Sequence, residues 1–185
     1  MNKRLVVISV FVAVAAGARL LPHPPNVTPI VAMALFGGVC LRNKKLAFLL
    51  PLAAMLLSDL ALGLTIYGPN ILRWSQLVVY ACIAAIAGIG LLIQDRRSVA
   101  RVVSAGLTSS ILFFIVTNFA VWAGDSLYPK NWSGLVTCYA AAIPFFRNSL
   151  LGDAFFGVLL FGGFALLENR VRSLREHRDP RLIQA

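Results

Sequence analysis

The sequence predicts an all-α integral membrane protein, a bundle of about six transmembrane helices. Of its 185 residues, 59% are hydrophobic and only 13% are charged, and the mean hydropathy is +0.81. Soluble domains carry about 25% charged residues, so most of this chain must have lipid as its solvent. Two further observations agree: several apolar stretches approach the roughly 20 residues that a membrane-crossing helix needs, and the basic residues lie between these stretches.

Four stretches are long and apolar enough to predict transmembrane helices directly, at residues 46–66, 76–94, 102–123 and 148–167. Two apolar stretches precede them. Residues 5–21 are long enough to span, whereas residues 27–41 are short and follow the helix-breaking run Pro22, His23, Pro24, Pro25, Asn26. These two stretches predict helices joined by a tight corner.

The apolar stretch 135–146 is too short to cross a membrane and contains Pro144. It follows an aromatic and polar segment at residues 128–134. We therefore predict a short interfacial or re-entrant segment before the last helix.

The net charge of +10 indicates topology and not a nucleic-acid partner, because the basic residues are not gathered on one face. Thirteen of the seventeen Lys and Arg residues lie before residue 5, after the second and fourth helices, or after the last helix. Cytoplasmic loops are rich in Lys and Arg, so both termini are predicted to be cytoplasmic. The domain organisation is a transmembrane domain, 1–168, and a basic cytoplasmic tail, 169–185, with a bacterial inner membrane as the simplest location.

An alternative interpretation treats residues 1–18 as a cleaved signal peptide, because Lys3 and Arg4 precede a short apolar core that ends in small residues. Removal of this segment would leave five helices. Nothing downstream resembles a secreted domain, but the sequence alone leaves both interpretations open.

Polar side chains within the predicted helices indicate where function resides, because they are costly in lipid. Asp59, Asn118 and Asp153 each lie within about 10 Å of the outer end of their helix. The carboxylates should face inward, toward a water-filled cavity or toward a cation such as Arg147, Arg19, Arg73 or His23. The predicted outward-open pocket is lined or guarded by His23, Asp59, Tyr80, Asn118, Trp122, Arg147 and Asp153.

Each of these residues also has a structural interpretation. Asp59 and Arg147 could form a buried ion pair that fixes helix register. Asn118 could hydrogen-bond between helices, and Asp153 could interact favourably with a helix N-terminus. Trp122 is also typical of an interfacial aromatic residue.

Small residues in the first predicted helix offer a surface for contact with another helix. Ala13 and Gly17 lie four residues apart and form a flat strip that suits a partner helix, although ordinary packing within the bundle would use it too.

The three cysteines have no metal-ligand spacing, so neither a metal site nor a cofactor is expected. No phosphate-binding loop, zinc-binding histidine pair or nucleophile elbow is present, which argues against an enzyme.

Several segments resemble a family of small, uncharacterised bacterial membrane proteins, which is itself similar to the substrate-binding S-components of energy-coupling-factor transporters. The segments that carry the resemblance are residues 19–30 with their Pro-His-Pro-Pro-Asn run, 32–38, 58–59, 117–122 and 134–148. The resemblance as a whole extends over about residues 19 to 165.

This resemblance implies uptake of a vitamin or other micronutrient by a small bundle whose pocket opens outward. It also implies partners, a membrane coupling subunit with cytoplasmic ATPases, for which the strip at Ala13 and Gly17 would be the docking surface. Solitary cobalamin-type S-components look like the nearest relatives, and in them a thiol of the outer region can meet the cobalt. Residues 68–75 of this chain contain no cysteine, although His23, Cys82 or Cys138 could approach a corrin ring from elsewhere.

Two other functions stay open on the sequence. A structural or assembly subunit of a membrane complex would use the buried polar groups as contacts between helices and would have no cavity. An intramembrane enzyme would use Asp59 and Asp153 as a carboxylate pair on one substrate.

Overall fold

The computed structural model describes residues 3–67, 74–171 and 174. Within this part of the chain all regular secondary structure is helical, without strands. The helices are α1 (Lys3–Ala18), α2 (Ile30–Cys40), α3 (Lys44–Leu62), α4 (Trp74–Ile93), α5 (Val99–Gly124), α6 (Trp132–Gly157) and α7 (Gly163–Arg170). A π-helical turn, Gly63–Tyr67, extends α3, and another, Val158–Gly162, joins α6 to α7 without a break.

Four helices are long and apolar enough to cross a membrane: Lys44–Thr65, Trp74–Ile93, Val99–Gly124 and Trp132–Arg170. Each of the four stretches that hydropathy predicted lies in one of these helices, apart from the last residue of the first two stretches. With α6 and α7 counted as one helix, the described residues form six helices, as expected. Helix α2, however, has 11 residues and is about 16 Å long, which is roughly half the hydrocarbon thickness.

The prediction of a separate interfacial or re-entrant segment at 135–146 is wrong, because these residues lie inside the continuous helix α6. Helix α6 starts after the N-cap Asn131, whose side chain accepts a hydrogen bond from the Gly134 amide. Pro144 does not end the helix, as is common within membranes, where neighbouring groups compensate for the missing amide. The polar residue Asn148 is satisfied too, since its side-chain amide donates to the Pro25 carbonyl at 3.0 Å.

The earlier start of α6 changes the position of Asp153 within its helix. Asp153 lies about 30 Å along the helix from Trp132, so the prediction that it lies within about 10 Å of the outer end of its helix is wrong. The preceding residue, Gly152, packs against the backbone of Val27 and Thr28, just before α2.

The two ends of the bundle differ in charge. One end, here called the Pro-rich end, contains residues 19–29 and the connection 125–131 between α5 and α6. The other, the basic end, contains most of the described Lys and Arg residues: Lys3, Arg4, Arg42, Lys44, Lys45, Arg96, Arg97, Arg101 and Arg170. Most of the predicted tail, residues 172–173 and 175–185, lies outside the described residues, as do Arg73 and most of the loop at 68–75.

Helix α2 is the centre of the bundle. Every residue from Val31 to Cys40 is buried, and α1, α3, α4, α5 and α6 all pack against it. A helix that is apolar on all sides, as α2 is, must be surrounded on all sides. Phe36, which is fully buried, contacts the rings of Phe11, Phe161 and Phe164 and thereby joins α1 and α7 to this centre.

The closest helix contact lies between α2 and α4, where Gly38 faces Gly90. A Cβ atom on Gly90 would lie 2.8 Å from the Gly38 Cα and 2.8 Å from the Leu35 carbonyl oxygen. A Cβ atom on Gly38 would lie 2.9 Å from the Gly90 Cα and would overlap the Ala87 carbonyl. Only glycine at both positions allows these two backbones to approach so closely.

We predict that Gly90→Ala lowers the unfolding temperature in a mild detergent, because overpacking at a tight contact costs about 1–3 kcal/mol. Gly88→Ala, on the same helix, is the matched control, since its Cβ would meet nothing within 4 Å. The measurement is thermal unfolding followed by size-exclusion chromatography. Equal melting of the two variants would contradict the close contact.

Candidate functional site

Asp59 lies in a saturated polar network at the Pro-rich end. The Arg19 guanidinium pairs with Asp59, with 2.7 Å between Nη2 and Oδ1, and the two side chains are only 10% and 5% exposed. The other carboxylate oxygen, Oδ2, accepts hydrogen bonds from Tyr80 at 2.8 Å and from Gln76. Arg19 also donates to the Ser58 hydroxyl. Both carboxylate oxygens of Asp59 are therefore occupied by protein donors.

Three chain segments bring this network together. Arg19 follows α1 directly, Ser58 and Asp59 are adjacent on α3, and Gln76 and Tyr80 lie one turn apart on α4. The predicted proximity of Asp59 and Tyr80 is thus present. Of the candidate cations for Asp59, the structure selects Arg19, whereas Arg147 is exposed on α6.

Asp153 has a different environment. Its Oδ2 accepts a hydrogen bond from the Ser110 hydroxyl at 2.6 Å, which joins α6 to α5. Among residues 3–67, 74–171 and 174, no Lys, Arg or His lies within ion-pair distance of Asp153, and no side chain donates to its Oδ1. Asp153 is consequently a largely buried carboxylate without a protein cation.

A cavity of about 110 Å³, here called the polar cavity, lies beside Asp153, between α5, α6 and the Pro-rich end. Its aromatic wall consists of Phe113, Phe114, Phe145 and Phe146. Its polar lining consists of Asn26, Ser110, Thr117, Asn118, Ser149 and Asp153. Two of the predicted ligand-binding residues, Asn118 and Asp153, therefore share one cavity.

The polar side chains in this cavity donate back to their own helices. Thr117 donates to the Phe113 carbonyl at 2.7 Å, and Asn118 donates to the Phe114 carbonyl at 2.8 Å. Ser149 donates to the Phe145 carbonyl at 3.2 Å. Their oxygen atoms retain acceptor capacity, so the lining offers mainly acceptors to the cavity.

A second, larger cavity of about 680 Å³, here called the apolar cavity, extends between α2, α5 and α6–α7. Aliphatic and aromatic side chains line most of it, among them Leu35, Val102 and Phe161. It shares Ser110 and Asp153 with the polar cavity and reaches Arg97 and Glu168 at the basic end. The pair Ser110–Asp153 is therefore the junction of the two cavities.

Glu168 belongs to an ionic cluster at the basic end. It pairs with Arg4 and, at 3.4 Å, with Arg97. Arg4 also donates to the Leu174 carbonyl at 2.7 Å and lies 5.0 Å from the centre of the Phe164 ring. This cluster ties α1, the residues before α5, and α7 together.

The remaining predicted site residues line neither cavity. His23 is exposed, and its Nδ1 lies 3.1 Å from the Pro24 carbonyl. Trp122 donates from Nε1 to the Pro129 carbonyl at 2.9 Å, and Lys130 lies over its ring at 5.8 Å, so Trp122 anchors the connection 125–131. Asp59 and Tyr80 are absent from the lining of both cavities.

Ala13 and Gly17 are exposed on α1, and a Cβ on Gly17 would meet nothing within 4 Å. The small strip is thus not used for packing inside the bundle. The three cysteines are buried, and no group of three His, Cys, Asp or Glu side chains in the described chain is placed to hold a metal ion.

Sequence reasoning missed Ser110 and the four phenylalanines of the polar cavity. A serine in an apolar helix is usually a tolerated small residue, and phenylalanines in a span usually face lipid. The one available signal was spacing: Phe113, Thr117 and Ser110 recur every three or four residues on α5, which places them on one face.

The sequence profile of a family described as "Family of unknown function (DUF6580)" matches residues 1–175. The chain belongs to this family. Neither the curated proteins nor the solved structures provide a match. Function must therefore be argued from the geometry of the bundle.

We predict that Asp59→Asn destabilises the protein by about 3–5 kcal/mol, because it leaves Arg19 buried without its counter-charge. Replacing both partners, Arg19→Met with Asp59→Leu, should recover much of this loss, since no buried charge then remains. Thermal unfolding in detergent measures both effects. Arg147→Gln is the control and should melt like the wild type; destabilisation by Arg147→Gln equal to that of Asp59→Asn would contradict the assigned pair.

Proposed function

We propose that this family member is a substrate-binding membrane protein that takes part in uptake of a small micronutrient or vitamin. The observation that carries the proposal is the polar cavity, in which Asn118 and Asp153 line a partly open space between two apolar helices. Polar groups in a membrane interior are costly and usually serve a bound ligand, an ion or a partner group. Ligand pockets combine apolar walls with a few polar groups, and the two joined cavities have this composition.

The volumes indicate how a ligand would be placed. Pockets for small molecules usually measure about 300–1,000 Å³, and the apolar cavity, at about 680 Å³, lies in this range. The polar cavity, at about 110 Å³, accommodates only one small group. A ligand would therefore place its polar group near Asp153 and its apolar part between α2, α5 and α6.

The orientation follows from the positive-inside rule. The basic end would face the cytoplasm, which puts both termini there, and the Pro-rich end would face outward in a bacterial inner membrane. The polar cavity lies on the outward side of the Ser110–Asp153 junction and the apolar cavity on the inward side. This arrangement fits alternating access, in which a ligand held across the junction is released inward when the bundle moves.

The chain would not supply the energy itself. By resemblance to S-components, its partners would be a membrane coupling subunit and cytoplasmic ATPases, and its role would be binding without catalysis. The exposed strip at Ala13 and Gly17 on α1 suits contact with such a subunit.

A structural or assembly role is the second candidate, and the saturated network around Asp59 favours it, since such a network needs no ligand. An enzyme that uses Asp59 and Asp153 on one substrate has less support. The two carboxylates have separate partners on different helices, and Asp59 lines neither cavity.

We predict that the protein, purified gently from its own host, retains a small molecule detectable by native mass spectrometry. Asp153→Asn should release it, because the carboxylate is the strongest polar group in the cavity. Asp125→Asn, which changes an exposed acid after α5, is the matched control and should retain it. Loss of uptake of the identified compound in host cells carrying Asp153→Asn would complete the test.

The opposite result has a clear meaning. Absence of any bound small molecule, together with stable retention of other membrane subunits by the wild type and by Asp153→Asn, would contradict the uptake proposal and support the assembly role.

A further inference from the structure

Asp153 differs from Asp59 in lacking a cation, although both carboxylates are largely buried. Arg19 neutralises Asp59, whereas Asp153 has only the Ser110 hydroxyl as a described partner. An uncompensated carboxylate in an apolar environment is strongly unfavourable. Since the protein keeps this group at the junction of two cavities, a positive charge from outside the chain would stabilise it.

The other side chains that line the polar cavity would also favour a cation. Thr117 and Ser149 use their hydroxyl hydrogens on helix carbonyls, so their oxygens face the polar cavity as acceptors. Phe114 and Phe146 lie with ring centres 4.5 Å apart and form part of the aromatic wall. Faces of aromatic rings attract cations, most strongly where water is excluded.

No basic side chain lines the polar cavity, so nothing in its described lining would repel a cation. The combination of one carboxylate, several acceptor oxygens and four phenylalanines is typical of sites for organic ammonium groups. A metal ion fits this lining less well, because hard cations require about six or more oxygen ligands and the phenylalanine wall supplies none.

We infer that the ligand is an organic cation, with its quaternary or protonated nitrogen in the polar cavity against Asp153. Its apolar body extends past Ser110 into the apolar cavity. The inference rests on the proposed function only in treating these cavities as a ligand site. It assigns the chemical class of the ligand, which the resemblance to transporter subunits leaves open.

The first experiment compares two water-soluble probes of the same shape, choline and the uncharged 3,3-dimethylbutan-1-ol, by isothermal titration calorimetry of the full-length protein in dodecyl maltoside. Choline should bind at least about tenfold more tightly, because a desolvated charge pair contributes more than 1.4 kcal/mol. Asp153→Asn should remove this preference, and Phe146→Leu should reduce it about threefold to tenfold. Asp125→Asn should leave the preference unchanged.

Folding does not confound the test, because Asp153→Asn removes an unpaired buried charge and should melt no lower than the wild type. This expectation is opposite to that for Asp59→Asn and can be checked in the same thermal assay.

The second experiment tests the apolar cavity with benzyltrimethylammonium, which adds an apolar ring to the same head group. It should bind more tightly than choline to the wild type. Gly157→Phe should remove this gain while leaving choline binding intact, since Gly157 lines the apolar cavity and its Cβ would meet nothing within 4 Å.

Three results would overturn the inference: equal affinity for choline and the neutral alcohol, a choline preference that persists in Asp153→Asn, or stabilisation by sodium chloride that no organic cation reproduces. The last result would assign the site to a metal ion. These failures are distinct from failure of the uptake function, because a neutral or anionic compound retained in native mass spectrometry would leave uptake standing. Selective binding of the cations by a protein that mediates no uptake would support the cation site alone.

Discussion

The short helix α2 imposes the main constraint on this bundle. It is about 16 Å long and enclosed by other helices along its whole length, so both of its ends lie within the protein. Helix ends leave unsatisfied amides and carbonyls, and in a membrane these groups cannot turn to water. The residues around both ends must therefore satisfy them.

At the basic end this role falls to Gln94. Its side-chain amide lies 2.7 Å from the Leu41 carbonyl and 3.3 Å from the carbonyls of Gly38 and Val39. Gln94 follows directly after α4, and the contact between Gly38 and Gly90 brings α4 close enough for it to reach. The glycine contact and the glutamine cap thus depend on each other.

At the Pro-rich end, the segment that leads into α2 has few donors of its own. Pro22, Pro24, Pro25 and the N-cap Pro29 have no backbone N–H, so fewer groups of this segment require partners. Asn26 adopts a positive φ of 64°, a conformation that asparagine tolerates better than most residues. The turn closes with a hydrogen bond from Val27 to the Pro24 carbonyl at 3.1 Å, and Asn148 pairs with the Pro25 carbonyl. The Pro-His-Pro-Pro-Asn run thus forms the turn that leads into α2.

Hydropathy predicted the four long helices well because the cost of crossing lipid is a local property of about twenty residues. It failed at residues 135–146, where the outcome depended on contacts from elsewhere in the chain. In the sequence, Pro144 and Asn148 suggest a break in the helix. In the structure, Asn148 has a partner from a distant segment, the Pro25 carbonyl.

The pairing of Asp59 with Tyr80 could be predicted from their similar depth, but the choice of Arg19 over Arg147 could not, because it depends on where α1 ends relative to α3. The aromatic wall of the polar cavity could not be predicted either, because a phenylalanine that faces lipid and one that faces a cavity have the same local sequence pattern.

The distribution of close packing indicates which part of the bundle can move. Helices α2 and α4 touch backbone to backbone at Gly38 and Gly90, and tightly packed contacts of this kind resist sliding. Helices α5 and α6 also contact each other, through the Ser110–Asp153 bond, through Tyr139, which donates to the Ile115 carbonyl, and through the Phe114 ring. Cavities lie on both sides of the Ser110–Asp153 bond, and atoms that line a void have no partners on that side. The π-helical turn Val158–Gly162 lies along the apolar cavity, and such turns often occur at functional sites. Displacement of α6 relative to α5 would open the junction at Asp153, whereas the Asp59 network, which joins Arg19, α3 and α4, would stay intact.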